Sequence, residues 1–522
     1  MKMLLHKQWL RVLLVALVLC LTLPLFAACG NPETPGTDNK QEQPGDKPGN
    51  DDTPNTDEPG KDDPTPEEPG KDEPEDPADI YDVPDSLPES YNYGTEFVIL
   101  YFLEQYLNDF WVPESTGGVI DNAVYSAICS TEERFGVTIS AIFSGTGSEA
   151  EHVNLIRNQI SVNQTDFDVA RTHDVHGANL SLEDVLIDLL EVEQFDFTKP
   201  WWPQKNMESL TFMGQMYLMS SSISYRGLLS TSSVFFNKEL MEDHEMEFPY
   251  QQVLDMDWYL EDMFVSIEDF HIEGDAGIEG KSGDDTFGIV IPSQLYCWPE
   301  SFGIELVQKD PDTGELVLNG HDERMYDLVD KMYSVLWEND GGYVVTRPDA
   351  QKMFGQHQAI YIPVHIGSAV QVFLDYDVDY GIVPYPMLDD TQDQYYAGYT
   401  DRYFVIPNTC TDLDYVGTIL ESMSAEGYRQ VTPAYFEVAL KNRYTKDPIS
   451  KQMVDLIKQS MILDFAYVYG GNQWFTDTMR DLLTGSSPNH DYASYYAKKL
   501  PNAEARVDVV TEKFEAMLEA KG

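Results

Sequence analysis

Several groupings of reactive side chains stand out, and each implies a different chemistry. His173 and His176 lie three apart with Asp174 between them, part of a zinc site by residue type. One such pair in a polar loop is an incomplete ligand set, so no metal is expected. Gly280-Lys281-Ser282 has the ending of a phosphate-binding loop, but five residues separate Gly274 from Gly280 where the motif has four. Asp310-Pro311-Asp312-Thr313-Gly314-Glu315 resembles the start of a calcium loop, yet it runs into Leu316-Val317-Leu318, and a β-turn is expected instead. No Gly-x-Ser-x-Gly elbow is present. A glycosidase needs two carboxylates about 5–9.5 Å apart; with 71 acidic residues after position 85, spacing selects no pair. No catalytic residue can be singled out and no cofactor is expected, so recognition without covalent chemistry leads, with a glycan hydrolase still open.

The elements that would position such groups alternate between strand-like and helix-like stretches, the pattern of an α/β fold. Strands are predicted at 96–101, 137–139, 167–170, 216–219, 234–236, 287–291, 359–364, 380–383 and 404–406. Helices are predicted at 122–135, 152–162, 413–423 and 450–457. Arg171-Thr172-His173-Asp174 then falls in the loop leaving a strand. Trp111 falls in the loop after the first strand, and Trp298 in the loop after 287–291.

The amino terminus bears on the compartment. Lys2, Lys7 and Arg11 precede an apolar run from Val12 to Ala28, which ends in Phe26-Ala27-Ala28-Cys29. That is the layout of an export signal over residues 1–28. The ending resembles a bacterial lipobox, which makes Cys29 the expected lipidation site and places the protein on the outer face of the cell membrane. Residues 29–85 read as a tether: positions 31–85 hold 12 Pro, 5 Gly and 19 acidic residues against 4 Lys. Such a segment buries too little apolar surface to offset its ordering entropy.

The 437 residues beyond position 85 are too many for one core and suit two lobes. Their 26 basic and 71 acidic residues leave no basic footprint, so nucleic acid is not an expected partner. Cys129, Cys297 and Cys410 are widely spaced and odd in number, as buried small residues would be.

A series of landmarks then carries a family resemblance. They are Glu133-Arg134-Phe135-Gly136-Val137, Asp166-Phe167-Asp168-Val169, Phe197-Thr198-Lys199-Pro200-Trp201-Trp202 and Phe236-Asn237-Lys238-Glu239-Leu240. Phe354-Gly355-Gln356-His357-Gln358-Ala359, Gly381-Ile382-Val383-Pro384-Tyr385-Pro386 and Val405-Ile406-Pro407 follow in order. In this order they resemble the bacterial family 1 extracellular solute-binding proteins, the maltose-binding class, over roughly residues 94–480. The resemblance implies an α/β, two-lobed, periplasmic-binding-protein-like flytrap of type 2, with several crossings between lobes. One lobe would hold 86–225 with a return segment near 405–455; the other would hold 226–404 and 456–522.

By the same resemblance the chain would be the receptor of an ABC-type importer, a monomer binding a sugar or oligosaccharide in the interlobe cleft and docking on permease subunits. A surface lipoprotein that binds or hydrolyses glycans without a permease is the alternative. A sugar site wants aromatic platforms ringed by polar groups. Asp174 matches the family's acidic sugar contact. His365 stands where a stacking tryptophan falls, Trp474 lies near the last stacking tryptophan, and Arg402 adjoins a crossing segment. With Trp111 and Trp298 these are the candidate ligand contacts. Trp201-Trp202 reads as a structural anchor.

Overall fold

The apolar runs pair into two main sheets in the computed structural model, which describes residues 79–278, 280–294, 298–436 and 448–521. In chain order the first strands are β1 (Glu96–Tyr101), β2 (Thr138–Phe143), β3 (Val169–His173), β4 (Ser232–Asn237) and β5 (His271–Ile272). Next come β6 (Thr286–Pro292), β7 (Val307–Lys309), β8 (Leu316–Leu318), β9 (Gly342–Val345) and β10 (Ala359–His365). The last are β11 (Tyr380–Val383), β12 (Ala397–Gly398), β13 (Arg402–Val405) and β14 (Met461–Ile462).

The first sheet has the order β13-β3-β1-β2, with β1 parallel to both neighbours and β13 antiparallel to β3. The second has the order β11-β4-β10-β6-β5, with β9 also paired to β6. Here β6, β9 and β10 run parallel, and β4 lies antiparallel between β10 and β11. Every residue of β4 is buried, and β10 is buried up to His365. Strands covered on both faces read as continuous apolar runs, which is why they were legible as sequence.

The chain enters the second lobe through 226–232 and returns through 398–402, because β13 completes the first sheet after β4 to β12 have been made elsewhere. Helix Val119–Phe135, which packs beside the first sheet, ends on Gly136 in the left-handed region at φ 59°. A Cβ there would also meet Asn92 Oδ1 at 2.2 Å, so the glycine of the Glu-Arg-Phe-Gly landmark is required twice over. Trp201 and Trp202 are fully buried, and both indoles donate to the Glu421 carboxylate at 2.9 Å. They are structural anchors, and burial nevertheless pushes Glu421 up to about 7.

Several expectations need correction. Residues 216–219 form no strand. Met213 and Gly214 turn the backbone at positive φ, and the Asp188 carboxylate takes the Met216 amide at 2.9 Å, leaving only an isolated bridge from Met219 to Phe404. Arg171 to His173 belong to β3, and Asp174 opens helix Asp174–Ser181 instead of lying in a loop. Helix Pro448–Gln459 packs on β11 and on helix Tyr250–Leu254, where Tyr250 and Ser450 share a 2.7 Å hydrogen bond, so it belongs with the second lobe. The terminal helix Tyr492–Lys521 spans both lobes. Its Tyr492 hydroxyl donates to the Gly320 carbonyl, while Lys521 pairs with Asp188 at 2.6 Å.

Folded chain also begins earlier than residue 86. Tyr81 is buried against Tyr428, and Asp85 receives both Arg134 and Arg429 at 2.8 Å. The expected signal segment, Cys29 and the tether up to residue 78 lie outside the described residues, as does Cys297. Cys129 and Cys410 are free and only half-buried. Among the described residues no helix is long and apolar enough to cross a membrane.

Candidate functional site

Both sheets aim the carboxyl ends of their parallel strands at one cavity of about 240 Å3. Tyr106 follows β1, and His173 ends β3. From the second sheet, Gln294 and Trp298 follow β6, Arg347 follows β9, His365 ends β10 and Tyr385 follows β11. The two crossing segments close the wall with Arg226, Ser230, Ser232, Thr400 and Arg402, and Tyr467 adds one side chain from the π-helical turn Ala466–Gly470. Open α/β sheets place ligands at such strand ends. A second cavity of about 310 Å3 lies against Pro200–Lys205, Tyr399 and Lys458–Met461, but no strand end of the second sheet reaches it.

The crossing segments are tied to each other and to β10. The Ser230 hydroxyl donates to the Thr400 carbonyl, and the amides of Ile366 and Gly367 donate to Thr231 and Leu229 at 2.8 and 3.0 Å. A Cβ on Gly367 would stand 2.6 Å from the Leu229 carbonyl oxygen, so that approach requires glycine. The His365 and Arg402 ends of the two sheets are thereby anchored at the same crossings.

Three guanidiniums line the cavity. Those of Arg226 and Arg402 lie 4.9 and 5.1 Å from the Tyr106 ring centre. Arg226 also faces the buried Asp109 at 3.6 Å. The Arg402 guanidinium donates once among the described residues, to the Asp401 carbonyl at 2.9 Å, while its buried Nε has no partner. Trp298 packs edge-on to Tyr385 with centres 5.4 Å apart, an aromatic corner of the wall. His365 and His173 are both held neutral. Burial lowers His365 to about 3, helped by the charges of Arg347 and Arg226. Burial lowers His173 to about 3 as well, helped by Arg402 and His176. The Nδ1 atom of each imidazole is buried without a hydrogen-bond partner.

Asp174 lies directly behind His173 and does not line the cavity. It is fully buried, and neither carboxylate oxygen has a hydrogen-bond partner; the Asp401 backbone approaches it too loosely to count as one. Burial raises it to about 7, against the pull of Arg402. Of the six candidate contacts, then, His365, Trp298 and Arg402 meet at one wall, and Asp174 stands one layer back. The remaining two lie elsewhere. Trp474 is core: its indole donates to the Ala503 carbonyl at 3.1 Å, and its ring stacks on Phe465. Trp111 donates to the Ile139 carbonyl at 3.0 Å and packs on the first lobe. Both indoles are engaged within the fold. Among the described residues no three His, Cys, Asp or Glu side chains cluster as a metal ion would require.

Arg226, Arg347, Tyr106, Tyr385 and Tyr467 were not singled out from sequence. For Tyr106 and Tyr385 the sequence does carry a signal, since each follows an apolar run that forms a strand. Tyr467 belongs to the segment that suggested Trp474, seven positions earlier.

No protein-family model matches the sequence, and no curated protein matches it. Solved structures do match in fold. The galacto-N-biose/lacto-N-biose I-binding protein of a Bifidobacterium longum ABC transporter, in complex with lacto-N-biose, superposes at a TM-score of 0.51 and 10% identity, over 80% of this chain and 99% of that one. UspC of M. tuberculosis gives 0.51 at 12% identity over 80% and 100%. UgpB of Mycobacterium tuberculosis, in complex with glycerophosphocholine, gives 0.50 at 14% identity over 80% and 98%. The protein thus has the α/β, two-lobed, periplasmic-binding-protein-like fold, as its landmarks imply. At these identities the likeness concerns fold alone.

Proposed function

We propose that this chain is the extracellular receptor of an ABC-type importer and captures a small solute, a sugar or oligosaccharide, in the cavity between its two sheets. The observation that carries the reading is the convergence of strand ends from both lobes on one cavity bounded by the crossing segments. A wall supplied by two lobes couples occupancy to their relative position, which a permease can sense. Its chemistry suits a hydroxylated ligand: aromatic faces at Tyr106, Trp298, Tyr385 and Tyr467, donors at the arginines, and neutral imidazoles at His365 and His173. Among the described lining residues there is no Asp or Glu to form a glycosidase pair, which favours capture over hydrolysis. In this reading Cys29 carries the lipid anchor at the outer face of the membrane, and the protein acts as a monomer beside its permease.

A thermal-shift panel of sugars, oligosaccharides, polyols, amino acids and peptides tests the reading. A ligand at about 100 times its Kd should add about 2.7 kcal/mol to stability. A carbohydrate hit that His365→Ala abolishes supports it. Stabilisation by peptides or amino acids only, or a hit indifferent to His365, refutes it.

A further inference from the structure

The charge on the cavity wall is unusual for this chain. The folded part holds 71 acidic and 26 basic residues, so a wall assembled without selection would be acid-rich. Instead the described lining includes Arg226, Arg347 and Arg402 and no carboxylate.

The carboxylates behind the wall account for most of this charge. Buried Asp109 and Asp401 sit within electrostatic reach of Arg171, and Asp109 faces Arg226 at 3.6 Å. Asp174 interacts with Arg402. Arg171, Arg226 and Arg402 thus each have a buried acid beside them, all on the first-lobe side. Glu149 lies at the edge of this group, 3.4 Å from His176 and 4.0 Å from His173. Arg347 comes from the opposite lobe and has no such counterpart. It makes no hydrogen bond or ion pair with another described residue, and the nearest acid along its helix, Asp349, is held by the Thr346 hydroxyl at 2.5 Å. Arg347 and Arg226 both act on His365, so the unmatched charge falls across from a matched one, beside a neutral imidazole.

We infer that the ligand of this cavity carries an anionic substituent, a carboxylate or a phosphate, held between Arg347 and Arg226 beside His365. This rests on reading the cavity as the ligand site, and it narrows the substrate class from carbohydrate to acidic or phosphorylated carbohydrate. A planar guanidinium fork suits both anions. Removing water from the site on lobe closure would strengthen the pairing.

Matched probes test it by calorimetry. One pair is trigalacturonic acid and its fully methyl-esterified form; the other is glucose 6-phosphate and glucose. One acidic member should bind at least about tenfold more tightly than its neutral partner, and which pair responds identifies the anion. Arg347→Gln should erase that preference, Arg347→Lys should keep part of it, and raising the salt should shrink it. Equal affinity for acid and neutral partner, an Arg347→Gln variant with the preference intact, or no binding of either acid overturns the inference. In each case a neutral sugar that binds and depends on His365 leaves the receptor reading standing.

Discussion

Arg171 and Arg402 occupy adjacent strands of the first sheet, yet their donors are used in opposite ways. Arg171 is 2% exposed and donates to the Arg402 carbonyl, the Tyr106 carbonyl and the Ser224 hydroxyl, with its guanidinium against Phe110 and Phe404. Arg402 faces the cavity with a buried Nε that has no partner. A buried polar group without a partner costs about 1–3 kcal/mol, a cost the fold avoids at Arg171 and carries at Arg402. On the proposed reading, the contrast separates a group that holds the fold from one that waits for a ligand.

Replacing the structural members of this contrast should have the largest effects. Arg171→Met leaves Asp401 buried without its main counter-charge and takes from Asp109 its second, after Arg226, and should cost on the order of 3–5 kcal/mol in chemical denaturation. Trp474→Ala should cost about 3–5 kcal/mol by the same measurement, since it empties a fully buried site between Phe465 and Ala503. Arg347→Gln, on the cavity side, should stay within about 0.5 kcal/mol of the parent. A ligand-free stability loss at Arg347 comparable with that at Arg171 would break the distinction.

Asp174 sharpens it through pH. Its folded pKa is raised to about 7, whereas the unfolded carboxyl titrates near 4. Between those values the folded state holds a proton that the unfolded state has released, so stability falls as pH climbs from about 4 to 7. Asp174→Asn removes that slope. Relative to the parent it should gain on the order of 4 kcal/mol between pH 4 and pH 8, read from paired denaturation curves. A difference independent of pH would mean that Asp174 is ionised and paired in the folded protein.

The smallest effect belongs to the amino-terminal segment. Deleting residues 31–78 should leave the melting temperature unchanged. Deleting 31–85 should lower it by a few degrees, because Asp85 then no longer joins Arg134 and Arg429.

Much of the fold was legible because its strands are buried on both faces. Glu96–Tyr101, Thr286–Pro292 and Ala359–His365 announce themselves as apolar runs between turn residues. Strand β9 did not: Gly342-Tyr343-Val344-Val345 is short and half-buried, so nothing in the pattern marks Arg347 just beyond it. The site was legible in its segments more than in its residues. The run after Gly470 drew attention to Trp474, a tryptophan being the obvious platform, but packing placed that ring in the core and left Tyr467 at the wall. Arg226 could not be told from any other arginine, because its significance lies in a wall assembled from distant strand ends.

Hydrogen exchange on the full chain, with and without the ligand the panel selects, tests the central claim most directly. Occupancy of the cavity predicts new protection in Ser230–Ser232, Val364–Gly367 and Thr400–Arg402, together with the residues after β6 and β9. Protection confined to Pro200–Lys205 and Lys458–Met461, around the other cavity, with those segments unchanged, would contradict it.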